Sequence, residues 1–234
     1  MNKKLSCTLA AIAGFCLIFG LLCTVICVCA SSRNFYYKEY EKLGVHEDIG
    51  ISMEDLKEAT NVLLEYTEGK REDMVVYADI NGVNEPVFNQ RETDHMYDVR
   101  ILFINAKNVG IITLVFGAAV LVLAGIFSKD RRYVFKGYLY GNIAFFAIVA
   151  VIAVYAATDF TSFWTSFHHV FFTNDLWLLD PATDNLILMV PEQFFFDLVF
   201  KIIGVFVAIA AVLAALSIIM NKVIKKKRLK NGVC

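Results

Sequence analysis

"VGIITLVFGAAVLVLAGIF", residues 109–127, runs for 19 positions without a charged side chain, and that run decides the fold class. A helix rises ~1.5 Å per residue, so the segment is close to the ~20 residues needed to cross a ~30 Å hydrocarbon layer. Three other stretches share its character: Leu9 to Ala30, Tyr138 to Ala157, broken only by glycines and Asn142, and Val199 to Met220, with Lys201 near its outer end. With 58% hydrophobic residues and a mean hydropathy of +0.57, the chain is too apolar for an ordinary soluble domain of 234 residues. The sequence predicts an α-helical integral membrane protein with four transmembrane helices.

Positive charge in short flanking segments sets orientation. Lys3 and Lys4 precede the first span, "SKDRRYVFK" joins the second to the third, and "NKVIKKKRLK" follows the fourth, whereas 158–198 has no lysine or arginine. The expected organisation is a first transmembrane helix in 1–30, an extracellular cap over 31–108, and a second helix over 109–127. A cytoplasmic loop over 128–137 leads to a third helix over 138–157 and an extracellular aromatic loop over 158–198. A fourth helix over 199–220 ends in a basic cytoplasmic tail, 221–234. Both termini then lie inside. The cap holds sixteen acids against nine bases, which argues against a nucleic-acid partner there, and the basic tail suits anionic lipid headgroups.

The basic start, apolar run and "VCASS" also fit a secretory signal cut after Ala30, but the run is longer than a usual signal core and an uncleaved anchor is expected. Five of the six cysteines lie in or beside the first span and the sixth is Cys234, so no disulfide framework supports the outer loops. Cys27 and Cys29 read as small apolar residues of a lipid-facing helix.

The cap must fold on other signals. Ser52 and Asp55 begin a capped helix with the apolar stripe Leu56, Ala59, Leu63 and Tyr66, stopped by Gly69. "MVVYADINGVNEPVF" reads as a hairpin turning at Asn81-Gly82, with Pro86 confining the second strand to an edge. Asn89 as N-cap with Glu92 three residues on starts a helix expected to continue into the second span. The cap is therefore α+β, built directly onto the helical base.

No phosphate loop, nucleophile elbow or H-E-x-x-H helix is present. Chemistry falls to four histidines, because imidazole is best matched to proton transfer near neutral pH. His46 lies in a polar turn and is expected at the surface. His95 shares a helix face with Arg91 and Asp98, by which Asp98 could orient its ring, although a surface ion-pair network has the same pattern. Phe160, Phe163, Trp164, Phe167 and Phe171 recur at helical spacing and predict a helix lying in the interface, with His168 on the edge of its aromatic surface and His169 turned ~100° away. An ordinary aromatic belt is the plainer alternative. The following stretch, 173–184, carries Asn174, Asp175, Trp177, Asp180 and Asp184, and its polar groups need partners at a membrane boundary; Arg91 and Arg100 are the expected ones. No histidine pair has the spacing of a zinc motif, so no metal is expected.

"RETDHMYDVRILF" (91–103) and "FHHVFFTNDLWLLDPATDNLILMVPEQFF" (167–195), with four spans and an outer cap, resemble the lipoprotein intramolecular transacylase family of Gram-positive bacteria. The resemblance implies a cofactor-free membrane acyltransferase. It would move the sn-2 acyl chain of a diacylglyceryl lipoprotein to the α-amino group of the lipoprotein's N-terminal cysteine, giving the lyso form. It carries the two catalytic histidines onto His95 and His168, and suggests Arg91, Asp98, Arg100, Phe163, Trp164, Phe167, Phe171, Phe172, Asn174, Asp175, Trp177 and Asp180 as substrate-binding or supporting residues. Arg100 stands where the family pattern has lysine, and His169 adds a neighbouring histidine. The implied partners are the lipoprotein substrate and membrane lipids, with a monomeric chain.

Three other functions fit parts of the pattern. A receptor or sensor would use the cap without the histidines, a lipid-ester hydrolase would release free fatty acid, and a small-solute transporter would place more polar groups at mid-membrane than Asn142 alone.

Overall fold

The computed structural model describes residues 1–230, with side chains described to Leu213. The side chains of the basic tail fall outside that range, and Cys234 lies outside the described residues altogether. Four helices are long and apolar enough to span a bilayer: α1 (Lys3–Ala30), α5 (Gln90–Phe127), α6 (Arg131–Thr158) and α9, whose described spanning part is Glu192–Leu213. Between α1 and α5 lie α2 (Arg33–Leu43), α3 (Val45–Ile49), α4 (Met53–Thr67), β1 (Tyr77–Ile80) and β2 (Val83–Pro86). Between α6 and α9 lie α7 (Phe160–Phe171) and α8 (Asn185–Met189).

α1 is the central post, packed along both α5 and α6. Small residues make the approach close, as interhelical packing in lipid requires. A methyl group added at Gly117 would stand 3.0 Å from the Ala13 carbonyl oxygen, and one at Gly20 would stand 2.8 Å from that of Gly110. Gly137 and Gly141 of α6 meet the backbone of Cys7 and Ala11 more closely still. The opposite faces of α5 and α6 leave Ile112, Val115, Val122, Val151 and Val154 exposed, as lipid-facing positions are. Asn142 turns its amide back to the Tyr138 carbonyl of its own helix, 3.0 Å away.

α5 is one unbroken helix of 38 residues. Its first half carries Arg91, Glu92, Asp94, Asp98, Arg100 and Lys107, and its charge-free second half starts at Val109. The capping box at its start is complete: the Asn89 side chain accepts from the Glu92 N–H, and Glu92 accepts from the Asn89 N–H at 2.7 Å. Glu92 also accepts from the Leu186 N–H, so the same carboxylate clips the 172–191 loop to α5. At α4, Ser52 accepts from the Asp55 N–H, but the Asp55 carboxylate takes the Ser52 hydroxyl rather than a backbone N–H.

The hairpin turns where the sequence predicts, with Asn81 at φ 52° and Gly82 at φ 89°, the pair of positive angles a two-residue turn requires. The cap holds two helices that the sequence reading did not place. α2 buries Tyr36 and Tyr40, Tyr40 meets the Thr60 hydroxyl of α4 at 2.9 Å, and both rings pack on Phe194 of α9. α3 holds His46 half-buried, where a surface position was expected. The third and fourth helices begin at Arg131 and Glu192, a turn or two before their apolar runs. The five cysteines of α1 are free.

Candidate active site

α5 and α7 bring together the two histidines that the sequence singles out. The rings of His95 and His168 lie 6.2 Å apart between centroids, and each side chain is only 7% exposed. Both line an apolar cavity of about 440 Å³ walled by α4, α5, α7, the 172–191 loop and the start of α9. Trp164 and Phe167 line it from α7, Trp177 from the loop, and Phe195 from α9.

α7 forms because Asp159 caps it, its side chain accepting from the Ser162 N–H at 3.0 Å. The aromatic stripe then stacks, with Phe160 on Trp164 and Trp164 on Phe167. His168 sits between two indoles, edge-on to Trp164 at 4.9 Å and stacked under Trp177 at 4.7 Å. Its Nδ1 lies 2.8 Å from the Trp164 carbonyl oxygen. A carbonyl only accepts, so the proton of neutral His168 resides on Nδ1 and Nε2 is left as a free acceptor. His169 is exposed and touches only the edge of Trp177 among the aromatic rings, the divergence expected of adjacent helical positions.

His95 packs edge-on against Phe172 at 5.3 Å, and its buried Nδ1 has no hydrogen-bond partner. Burial lowers its pKa to about 4; His168 and Arg91 push the same way, and Asp98 opposes them. Burial lowers His168 too, against its bond to Trp164. Both imidazoles are therefore neutral at pH 7. Glu92, one helical turn before His95, is fully buried, and desolvation raises its pKa to about 7 despite its backbone donors.

Of the two arginines expected to serve the polar loop, one does. Arg91 donates to the carbonyl of Asp175, 2.5 Å away. Arg100 turns to the other side of α5, lies over the Tyr66 ring at 4.8 Å and donates to the Arg71 carbonyl, so it serves the cap and not the loop. Asp98 accepts from the Asn174 amide at 2.8 Å and makes no hydrogen bond to His95, which corrects its expected role as ring orienter. Asp184 is held by Asn89 at 2.7 Å and by the Asp180 N–H, not by arginine. Asp180 caps its own turn through the Ala182 N–H. Phe163 packs on Tyr155 and Phe160 away from the cavity, and Phe171 lines a separate cleft with Phe172.

Tyr36, Leu63, Leu64, Thr67 and Glu68 also line the cavity, and sequence reading missed them as site residues. Leu63 was legible as part of an apolar stripe, but nothing local says that the stripe faces a histidine. Among the described residues, no group of three or more side chains is arranged to hold a metal.

The family described as "Lipoprotein intramolecular transacylase Lit" matches residues 11–195. The membrane-integral lipoprotein intramolecular transacylase Lit from Bacillus cereus, solved in meso, superposes with a TM-score of 0.75 at 19% identity, covering 97% of this chain and 100% of that one. Two structures of the same protein with one histidine replaced, by arginine and by alanine, superpose with TM-scores of 0.72 at 18% identity, each covering 97% of this chain. They cover 95% and 96% of those chains. No curated protein matches the chain.

Proposed function

The chain belongs to the lipoprotein intramolecular transacylase family, and we propose that His95 and His168 move the sn-2 acyl chain of a diacylglyceryl lipoprotein onto the α-amino group of its N-terminal cysteine. One observation carries this reading: two buried neutral imidazoles, from helices far apart in the sequence, meet at the wall of an apolar cavity.

The two rings have complementary roles. His168, with its proton fixed on Nδ1 by Trp164, presents Nε2 as the base. His95 has no acceptor at Nδ1, and leaving a bare lone pair there is less costly than burying an unpaired N–H, so its proton sits on Nε2. That N–H donates to the oxyanion. The cysteine amine attacks the ester carbonyl, a C–N bond forms, and His168 takes one amine proton. Collapse breaks the C–O bond, and the glyceryl oxygen receives that proton from His168. Exchange of an ester for an amide is downhill, so no energy source is required. The apolar walls hold the acyl chain and keep ester and amine close, the proximity contribution to rate.

The base-free 158–198 loop, set against the basic 128–137 loop, supports a site at the extracellular membrane interface, with both termini in the cytoplasm. A monomer suffices for this reading, because both histidines and the cavity walls come from one chain. Mass spectrometry of a reporter lipoprotein's N-terminal peptide tests the reading. An acyl chain moved from glyceryl ester to amide is expected only when the protein is present. An unchanged diacylglyceryl peptide rejects the reading, and free fatty acid without amide assigns a hydrolase.

A further inference from the structure

Beside the catalytic cavity lies a second cleft of about 190 Å³, formed where α5 passes the end of α7. Asp98 and Asn105 face it from α5, Thr173 and Asn174 face it from the loop, and Phe172 and Leu102 are shared with the catalytic cavity. The two spaces differ in kind. The large one is walled mainly by hydrocarbon and aromatic rings, whereas the small one gathers three polar side chains, Asn105, Thr173 and Asn174, around the Asp98 carboxylate.

Asp98 is half-buried, and the Asn174 amide bonds one of its oxygens. Among the described residues no lysine, arginine or histidine nitrogen lies within 4.0 Å of that carboxylate. Arg91, seven residues earlier on the same helix, has its guanidinium turned to the Asp175 carbonyl. A partly desolvated carboxylate with only one neutral donor favours a cation, and the geometry gives this one room for it. Asp98 stands one helical turn from His95, and Phe172 packs on both His95 and His168.

We infer that this cleft is the receiving site for the α-ammonium of the substrate's N-terminal cysteine, with Asp98 as its counter-ion. The inference rests on the transacylase reading for the identity of its ligand. The α-amino group of a peptide has a pKa near 8, so the substrate arrives at neutral pH as a cation that an apolar cavity rejects. Asp98 holds that cation at the rim. The amine gives up one proton to solvent at the rim and then crosses past Phe172 toward the ester, so the reacting nucleophile enters the cavity neutral. Asp98 is thus a binding and positioning residue, distinct from the base that acts in the transfer itself.

The test compares a diacylglyceryl-cysteinyl peptide with a free α-amine and its N-acetyl counterpart, each displacing a fluorescent lipopeptide from the full chain in nanodiscs at pH 7. Wild-type protein is expected to prefer the free amine by about tenfold, the worth of one charge-assisted hydrogen bond. Asp98→Asn removes that preference and Asp98→Glu keeps it. Asn174→Ala also keeps it, because the charge remains when the loop tether is gone. Equal binding of the two peptides by wild type overturns the inference, as does a preference retained in Asp98→Asn or lost equally in Asn174→Ala. Acyl transfer is followed on the same wild-type samples: preference without transfer rejects the transacylase reading alone, and transfer without preference rejects only this site.

Discussion

The Nδ1–H of His168 donates to the carbonyl of Trp164, one turn earlier on the same helix, at 2.8 Å. This bond fixes the tautomer and the ring plane, as a carboxylate does for a histidine base elsewhere, and so suits His168 to the proposed role of base. His168→Ala and His95→Ala are each expected to lower acyl transfer by ~10²–10⁴-fold, the range for loss of a general base or its partner. His169→Ala, which removes an exposed ring, is expected to stay within about threefold. Single-turnover mass spectrometry of the reporter peptide measures all three, and a His169 loss as large as that at His168 reverses the assignment.

Trp177 lies over the face of His168 at 4.7 Å and belongs to a loop that Glu92 and Arg91 tie to α5. Removing the Glu92 carboxylate strands the Asn89 and Leu186 N–H groups, each worth ~1–3 kcal/mol when left unpaired. Glu92→Ala should therefore lower both the melting temperature and the transfer rate. Trp177→Ala should lower the rate about tenfold, through a less confined base, with a smaller loss of stability. Thermal unfolding in detergent, beside rate measurements at saturating substrate, separates the two effects.

Acid stability carries two opposite slopes. The His95 pKa falls from 6.5 to about 4 on folding, so below pH 6.5 the unfolded chain binds a proton that the native ring refuses. Its contribution is present above pH 6.5 and is lost as pH falls toward 4. The Glu92 pKa rises from 4.5 to about 7, so its contribution is present below pH 4.5 and is lost as pH rises through 7. Between about pH 4.5 and 6.5 the two partly cancel. Glu92→Gln should steepen the acid-side loss of melting temperature, and His95→Gln should flatten or invert it; a pair of variants with unchanged slopes refutes both assignments.

Helix approach gives a stability contrast within the membrane. Gly141→Leu pushes a side chain onto the backbone of Ala11 and should cost ~1–3 kcal/mol or prevent assembly. Gly125 has nothing within 4 Å of an added methyl, and Gly125→Ala should be neutral or slightly stabilising. Melting temperatures in one detergent compare them directly.

The spans were readable because charge-free runs have one stable solution in lipid, and the hairpin was readable because Asn81-Gly82 supplies both positive φ angles locally. α2 was not. Its tyrosines acquire meaning only against Phe194, more than 150 residues later. The error at Arg100 was avoidable: nine residues from Arg91 at 100° per residue is half a turn, so the two arginines face opposite ways. The error at Asp98 was not, since the spacing to His95 is right for a hydrogen bond and only the folded loop reveals that Asn174 takes the carboxylate. The chemistry of imidazole singles out His95 and His168, which the fold brings together, whereas the cavity's far wall from α4 has no local signal.

α5 runs from the Asn89 cap to Phe127 as one rod, with His95 near one end and the charge-free segment filling the other. Histidine depth is therefore coupled to how that segment seats in its surroundings. A thinner bilayer tilts the rod and lowers the ring, and a thicker one raises it, by an amount set by rigid-body geometry. One residue inserted between 99 and 108 would rotate His95 by ~100° and lift it by ~1.5 Å with respect to its anchor. Membrane thickness thus becomes a control variable for the proposed acid/base pair, whose height is referenced to the lipid that holds the other half of the helix.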